Sequence, residues 1–297
     1  MGSFEPITLK DRDRISRYLR IYPDNETSEY SFTNLFIWSG VENIEWRESD
    51  GIMCLRTWAG GVLRYLMAFA PEDRFNEALD TAIATSAEAG RPFFMHSLPD
   101  WYREKMEAHM PGRFTFAREP HMDDYVYRAK DLIKLPGKKY HAKRNHINRF
   151  MNEYGGRYIY APYEESMAGA CMEIYNRWLS GQRDPAPLCG ERDSVACAIA
   201  NAEALGVVGG VVLIDGVPQA FSLGERLTSD MAVIHIEKAN PAIHGLFSVI
   251  NRDFAANAFS DAAWINREED MGDEGMKRAK LSYRPARMIE KYRAILV

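Results

Sequence analysis

Between positions 134 and 149 the chain carries Lys134, Lys138, Lys139, Lys143, Arg144 and Arg149, with His141 and His146, and no aspartate or glutamate. Such a run reads either as a solvated basic face with one buried ion pair or as an anion-facing cleft or polyanion track. On a helical wheel stepping about 100° per residue, Tyr140, Ile147, Met151 and Tyr154 define the buried stripe, with Arg144 inside it and Lys143 at its border. An arginine so placed needs a carboxylate or a ligand anion, because an unpaired buried charge is costly.

Two further sets carry chemistry. Alternation along 231–238 puts His235 and Glu237 on one strand face with Met231 and Val233, and Ala239-Asn240-Pro241-Ala242-Ile243-His244-Gly245 leads from there into an amphipathic helix. Free N–H groups at such a helix start can hold a phosphate, and Gly245 allows close approach, although Pro and Gly also suit an ordinary loop. Glu237 is a general base if desolvated and otherwise a half-exposed strand carboxylate. In the third set, Asn266 to Pro285, residues Met276, Ala279, Lys280 and Tyr283 fall at i, i+3, i+4 and i+7 and turn the Lys280 ammonium inward, with a partner expected among the acids just upstream. Asp273 is placed to cap that helix. This set reads as a functional cluster at a strand end or as a capped helix with a structural Lys–Asp pair.

These residues need a frame. Ile15, Tyr18 and Leu19 mark an early helix, an aromatic block follows at 30–38, and strands are expected at 43–48, 51–57 and 62–69. Helix 73–89, strand 93–95, helix 99–109 and strands 113–118 and 124–129 complete the first half. The second half repeats the grammar: helix 137–154, strand 156–161, helix 163–179, a polar loop 181–187, and helix 192–205. Hairpin 207–214/217–225 turns on Asp215-Gly216, and strand 231–238, helix 244–259, strand 262–266, helix 273–282 and a last strand over 286–295 follow. The duplication lies in element order, not in residue identity.

The chain has 297 residues, 46% hydrophobic and 27% charged, with 37 Lys+Arg against 42 Asp+Glu and a net charge of -5. That balance excludes disorder, a rod and a generic nucleic-acid binder, so any polyanion must be met locally. Cys54, Cys171, Cys189 and Cys197 show no metal-ligand spacing and read as reduced thiols. No leader or spanning stretch is apparent, which points to a cytoplasmic protein.

The three motifs 135–150, 237–246 and 266–285 together resemble the soluble C-terminal domain family of bacterial phosphatidylglycerol lysyltransferases. The resemblance implies an α/β fold of two tandem GNAT-like mixed sheets with flanking helices, joined by a basic helix at 137–154. It implies an N-terminal domain over 1–133 and a C-terminal domain over 134–297. It further implies an aminoacyl-tRNA-dependent acyltransferase acting on a lipid-linked or small-molecule acceptor. Glu237, Asp270 and Lys280 are then the expected catalytic residues. Lys138, Lys139, Lys143, Arg144, Asn240, His244, Gly245, Tyr283 and Arg284 are expected to bind substrate, with no metal and no resident cofactor. Two alternatives stand beside it. One is a transferase taking its acyl group from a coenzyme A thioester, against which the 240–245 loop keeps only one glycine; the other is a non-catalytic binding module on the duplicated fold.

Overall fold

The structure is a computed structural model that describes residues 3–181 and 189–297. The expected loop at 181–187, apart from Gly181, and the side chain of Cys189 lie outside the described residues. The chain opens with β1 (Glu5–Pro6), α1 (Arg12–Leu19), α2 (Phe32–Glu42), β2 (Glu45–Ser49), β3 (Ile52–Ala59), β4 (Val62–Tyr65), α3 (Phe75–Glu88), β5 (Phe94–Pro99), α4 (Asp100–His109) and β6 (Phe114–Arg118). It continues through β7 (Asp124–Arg128), α5 (Ala129–Lys134), α6 (His141–Tyr154), β8 (Tyr158–Pro162), α7 (Ala168–Ser180), α8 (Cys189–Ala200), α9 (Ala202–Leu205), β9 (Val208–Ile214) and β10 (Val217–Arg226). It closes with β11 (Met231–Ala239), α10 (Leu246–Ala258), β12 (Trp264–Asn266), α11 (Glu274–Leu281), β13 (Arg287–Ile289) and β14 (Lys291–Leu296).

Two compact units result. Unit 1 comprises Met1–Asp124, Glu269–Gly272 and Ile289–Val297; unit 2 comprises Tyr125–Glu268 and Asp273–Met288. Each contains one seven-stranded mixed sheet, ordered β1-β2-β3-β4-β5-β14-β6 in unit 1 and β13-β7-β12-β11-β10-β9-β8 in unit 2. The division therefore differs from a linear cut at 133/134. The single strand expected over 286–295 is two strands, β13 and β14, that enter different sheets. β14 pairs antiparallel with both β5 and β6, while β7, which directly follows β6 in the chain, pairs with β12 in the other sheet. Each sheet thus takes one strand from the opposite half of the sequence.

In unit 1, α1 buries Ile15, Tyr18 and Leu19, and Ser31 caps α2 by accepting the Asn34 N–H at 3.0 Å. The 43–69 meander forms, although its third strand stops at Tyr65 and the buried run Leu66–Ala70 bonds to β3 through the Leu66 N–H and an isolated Met53–Phe69 bridge.

In unit 2 the hairpin turn is as expected, with Asp215 and Gly216 at φ +50° and +79° between the paired Ile214 and Val217. β11 runs antiparallel to β10 but parallel to β12 only over Met231–Val233 against Trp264–Asn266. β12 then ends while β11 continues to Ala239, so the two strands part company. α10 packs Leu246, Val249, Ile250 and Phe254 into the core. Among the described residues, no helix is long and apolar enough to cross a membrane.

Candidate active site

The parting of β11 and β12 in unit 2 is filled by polar side chains. Glu237 Oε1 accepts from Arg267 Nη2 at 2.9 Å, and its Oε2 accepts from Asn251 Nδ2 of α10 at 2.8 Å. The Arg267 guanidinium lies 5.0 Å from the Tyr283 ring centroid and 5.6 Å from that of Tyr127. Lys143, from α6, places its ammonium 3.9 Å from the Tyr283 ring centroid. The Tyr283 hydroxyl donates to Ser248 Oγ at 3.4 Å, and Lys280 Nζ donates to the Arg267 carbonyl at 2.6 Å. Tyr127 donates in turn to the Lys280 carbonyl at 2.8 Å. Two atoms of this group, Arg267 Nη1 and Asn251 Oδ1, are buried with no hydrogen-bond partner. Such orphans are costly unless a ligand takes them up.

Burial pushes the Lys143 ammonium down to about 8, the nearby Arg267 adding to the effect and Glu237 opposing it. Burial works against the Arg267 charge as well, yet Glu237, Tyr127 and Tyr283 hold its pKa above the usual arginine value. The group therefore presents a fixed cation with a free N–H beside an amine that can gain or lose a proton near neutral pH. Among the described residues no three His, Cys, Asp or Glu side chains are arranged to hold a metal ion.

The expected residues divide as follows. Glu237, Lys143, Tyr283 and Lys280 come together, but the Glu237 carboxylate already accepts two hydrogen bonds, which suits it to holding Arg267. Arg144 was expected to need a carboxylate or anion; its Nη1 instead donates to the carbonyls of Leu135 and Gly137, pinning the turn before α6. A 3₁₀ turn at Lys138–Tyr140 precedes α6. Of the expected stripe, Tyr140 and Ile147 are buried and Tyr154 packs against the same core, with Lys143 and Phe150 on that face, while Met151 is exposed. Lys138 and Lys139 are exposed, Lys139 reaching Asp131 at 3.3 Å.

Asn240 Nδ2 donates to Gln219 Oε1 at 2.9 Å, and His244 Nε2 lies 2.9 Å from His146 Nδ1. Gly245 does permit a close approach, that of α6: a Cβ there would stand 2.2 Å from the His146 carbonyl oxygen. Arg284 is exposed with φ +54°. Asp270 belongs to unit 1, where its Oδ1 accepts the Gly272 N–H at 2.8 Å. Asp273 caps α11 by accepting the Met276 N–H, as expected. Of the cysteines, Cys54, Cys171 and Cys197 are free thiols.

Arg267, Asn251, Ser248 and Tyr127 were not singled out from sequence. The available signal was Ser248 and Asn251, two polar residues spaced i, i+3 among the apolar positions of one helix face; both are buried. A separate group holds β11 to its neighbours: His235 donates from Nδ1 to Glu268 Oε1 at 2.8 Å and from Nε2 to Glu225 Oε1 at 3.0 Å.

The chain is 34% identical to a conserved protein of unknown function from Bacteroides thetaiotaomicron VPI-5482, with TM-score 0.92 and all of both chains covered. L-PGS from Bacillus licheniformis shares the fold at 14% identity and TM-score 0.69, covering 100% of this chain and 94% of that one. So does a tandem GNAT protein from the clavulanic acid biosynthesis pathway, at 10% identity and TM-score 0.51, covering 99% and 98%. The two sheets thus form a tandem GNAT fold. An uncharacterized protein of Mycoplasmoides gallisepticum is 23% identical over 176 residues, 57% of this chain and 54% of that protein, so the chain spans about half the length of this curated relative. The model of the family described as "Phosphatidylglycerol lysyltransferase, C-terminal" matches residues 22–295, and the chain belongs to that family.

Proposed function

We propose that this protein is an aminoacyl-tRNA-dependent acyltransferase of the cytoplasm, that its acceptor is a lipid head group or small molecule bearing a hydroxyl, and that transfer takes place beside Arg267 and Lys143. The observation that carries this reading is the buried, unpartnered Arg267 Nη1 next to an amine whose pKa is pushed to about 8. The neutral Lys143 amine takes the proton from the acceptor hydroxyl as its oxygen bonds to the carbonyl carbon of the aminoacyl ester. Arg267 Nη1 donates to the resulting oxyanion. Collapse breaks the bond to the ribose oxygen of the tRNA, which receives the proton back from Lys143, leaving a new ester on the acceptor.

Glu237, Asn251, Lys280 and Tyr283 act as positioning residues, since each touches Arg267 or its immediate partners. The exposed Lys138 and Lys139 at the start of the basic segment suit phosphate contacts with tRNA. The family name supports a lipid head group as acceptor and lysine as the transferred residue. Substrate binding by Asn240, His244, Gly245 and Arg284 and a catalytic role for Asp270 belong to the same proposal.

The test is transfer from radiolabelled aminoacyl-tRNA to phosphatidylglycerol. Arg267→Lys should lower kcat by roughly 10²–10³-fold. The wild-type rate should rise with pH through about 8, and Lys143→Met should abolish that limb. Joint replacement of Lys138 and Lys139 by Ala should weaken tRNA binding and flatten its salt dependence. Consumption of an acyl-coenzyme A with no deacylation of tRNA, or full activity in Arg267→Lys, would overturn the reading.

A further inference from the structure

Unit 1 contains a pocket whose wall includes Glu29, Trp38, Glu42, Leu66, His96 and Glu269. Behind it the Lys291 ammonium is fully buried, bonded to Glu29 Oε2 at 2.6 Å and Asp124 Oδ1 at 2.7 Å and standing 3.6 Å from Glu269. Ser28 fixes the same corner, its N–H and hydroxyl donating to the two oxygens of Asp124 at 2.8 and 2.9 Å. These contacts use one oxygen of Glu29. The other, Oε1, is buried with no hydrogen-bond partner, and so is His96 Nε2. Nδ1 of His96 is engaged with Ser97 Oγ at 3.1 Å, so the ring is held in place by one nitrogen while the other is idle.

Two idle polar atoms in one pocket wall, one of them on a carboxyl group, call for a bound donor. The carboxyl-bearing wall selects a cation. A metal ion does not fit, because among the described residues no three ligating side chains are arranged to hold one. Beside the polar Asn34 and Ser97 and the carboxyl groups of Glu42 and Glu269, the wall carries an apolar and aromatic stretch, with Leu35, Trp38, Ile44 and Leu66, that matches a cation carried on a carbon stem.

We propose that this pocket binds a primary alkylammonium group, its N–H bonds directed to Glu29 Oε1 and His96 Nε2 and its stem lying against Trp38 and Leu66. The protonation states agree. Burial drives the Glu29 carboxyl up to about 8, with Asp124 and Glu269 reinforcing the rise against the pull of Lys291. An arriving ammonium ionises it, and a proton leaves. Burial, helped by Arg64 and Lys291, holds His96 down at about 4, so its ring is neutral and Nε2 can accept when Nδ1 carries the hydrogen. The proposal concerns unit 1 alone and is independent of the transfer reaction assigned above.

The experiment is calorimetric titration of the full chain with n-pentylamine at pH 7, in two buffers of different ionisation enthalpy, with 1-pentanol as the uncharged control. Pentylamine is expected to bind about tenfold or more tighter than pentanol, with an apparent enthalpy that differs between buffers as a proton is released. Glu29→Gln should lose about tenfold in affinity together with the buffer dependence. Trp38→Leu leaves the buried ion cluster untouched and serves if the first variant does not fold; it should weaken binding several-fold. Absence of binding, equal binding of pentanol, or unchanged affinity in the folded variants would overturn the proposal.

Discussion

His235 is clamped between Glu225 and Glu268, and the clamp decides its charge. Burial alone would discharge the ring, but the two hydrogen-bonded carboxylates raise its pKa to about 10. An unfolded histidine titrates near ~6.5, so the stabilisation is complete below that pH and is lost as pH climbs through about 10. Lys143 has the opposite sign, its depressed pKa favouring the fold at higher pH, and its effect cancels when wild type is compared with a His235 variant. The melting-temperature gap between wild type and His235→Gln should therefore be widest near pH 6 and close towards pH 10; a gap that stays constant would show His235 uncharged in the fold. At this scale the sequence was a partial guide. Glu237, Lys280 and Tyr283 could be found from alternation and helical spacing. Arg267 could not, because a charged run such as Arg267-Glu268-Glu269-Asp270 has the same appearance whether it is solvated or buried.

The ends of elements were the easiest features to read. Asp215-Gly216 announces its turn through the positive φ that both residues adopt, and Asp273 its helix through the cap it makes. The wheel drawn through Tyr140 holds at Tyr140, Ile147 and Tyr154, which share one core, and misses at Met151, which is exposed, and at Arg144, which bonds backbone carbonyls. Gly245 shows how a residue noted for one reason can be required for another. Its φ of +84° and the 2.2 Å that would separate a Cβ from the His146 carbonyl leave no room for a side chain between α6 and α10. Gly245→Ala should thus cost about 3 kcal/mol in denaturant titration, from the strained φ and the forced separation of the helices together. A loss of only a few tenths would mean that α6 moves aside freely.

For the whole molecule, the exchange of strands is the feature that local patterning could not supply. Residues 286–295 carry strand character throughout, and nothing at Glu290 announces that the chain passes there from one sheet to the other. Partner choice is set by which sheet lacks a strand, a property of the complete chain and not of any window along it. Because β14 lies between β5 and β6, its removal cuts the edge strand β6 off from the rest of the sheet. A chain terminated after Glu290 should lose cooperative melting of unit 1, and a separately produced 1–133 fragment should lack dispersed amide resonances. Native-like spectra from either would show that unit 1 closes without β14.

The same placement fixes a timetable during synthesis. β5 and β6 leave the ribosome long before the strand that must join them, with all of unit 2 translated in between. At ordinary elongation speeds that interval is on the order of ten seconds or more. Throughout it two facing strand edges stand unpaired and open to wrong partners. The unit encoded first is therefore the one finished last, and its protection in the interim falls to chaperones or to the speed of translation.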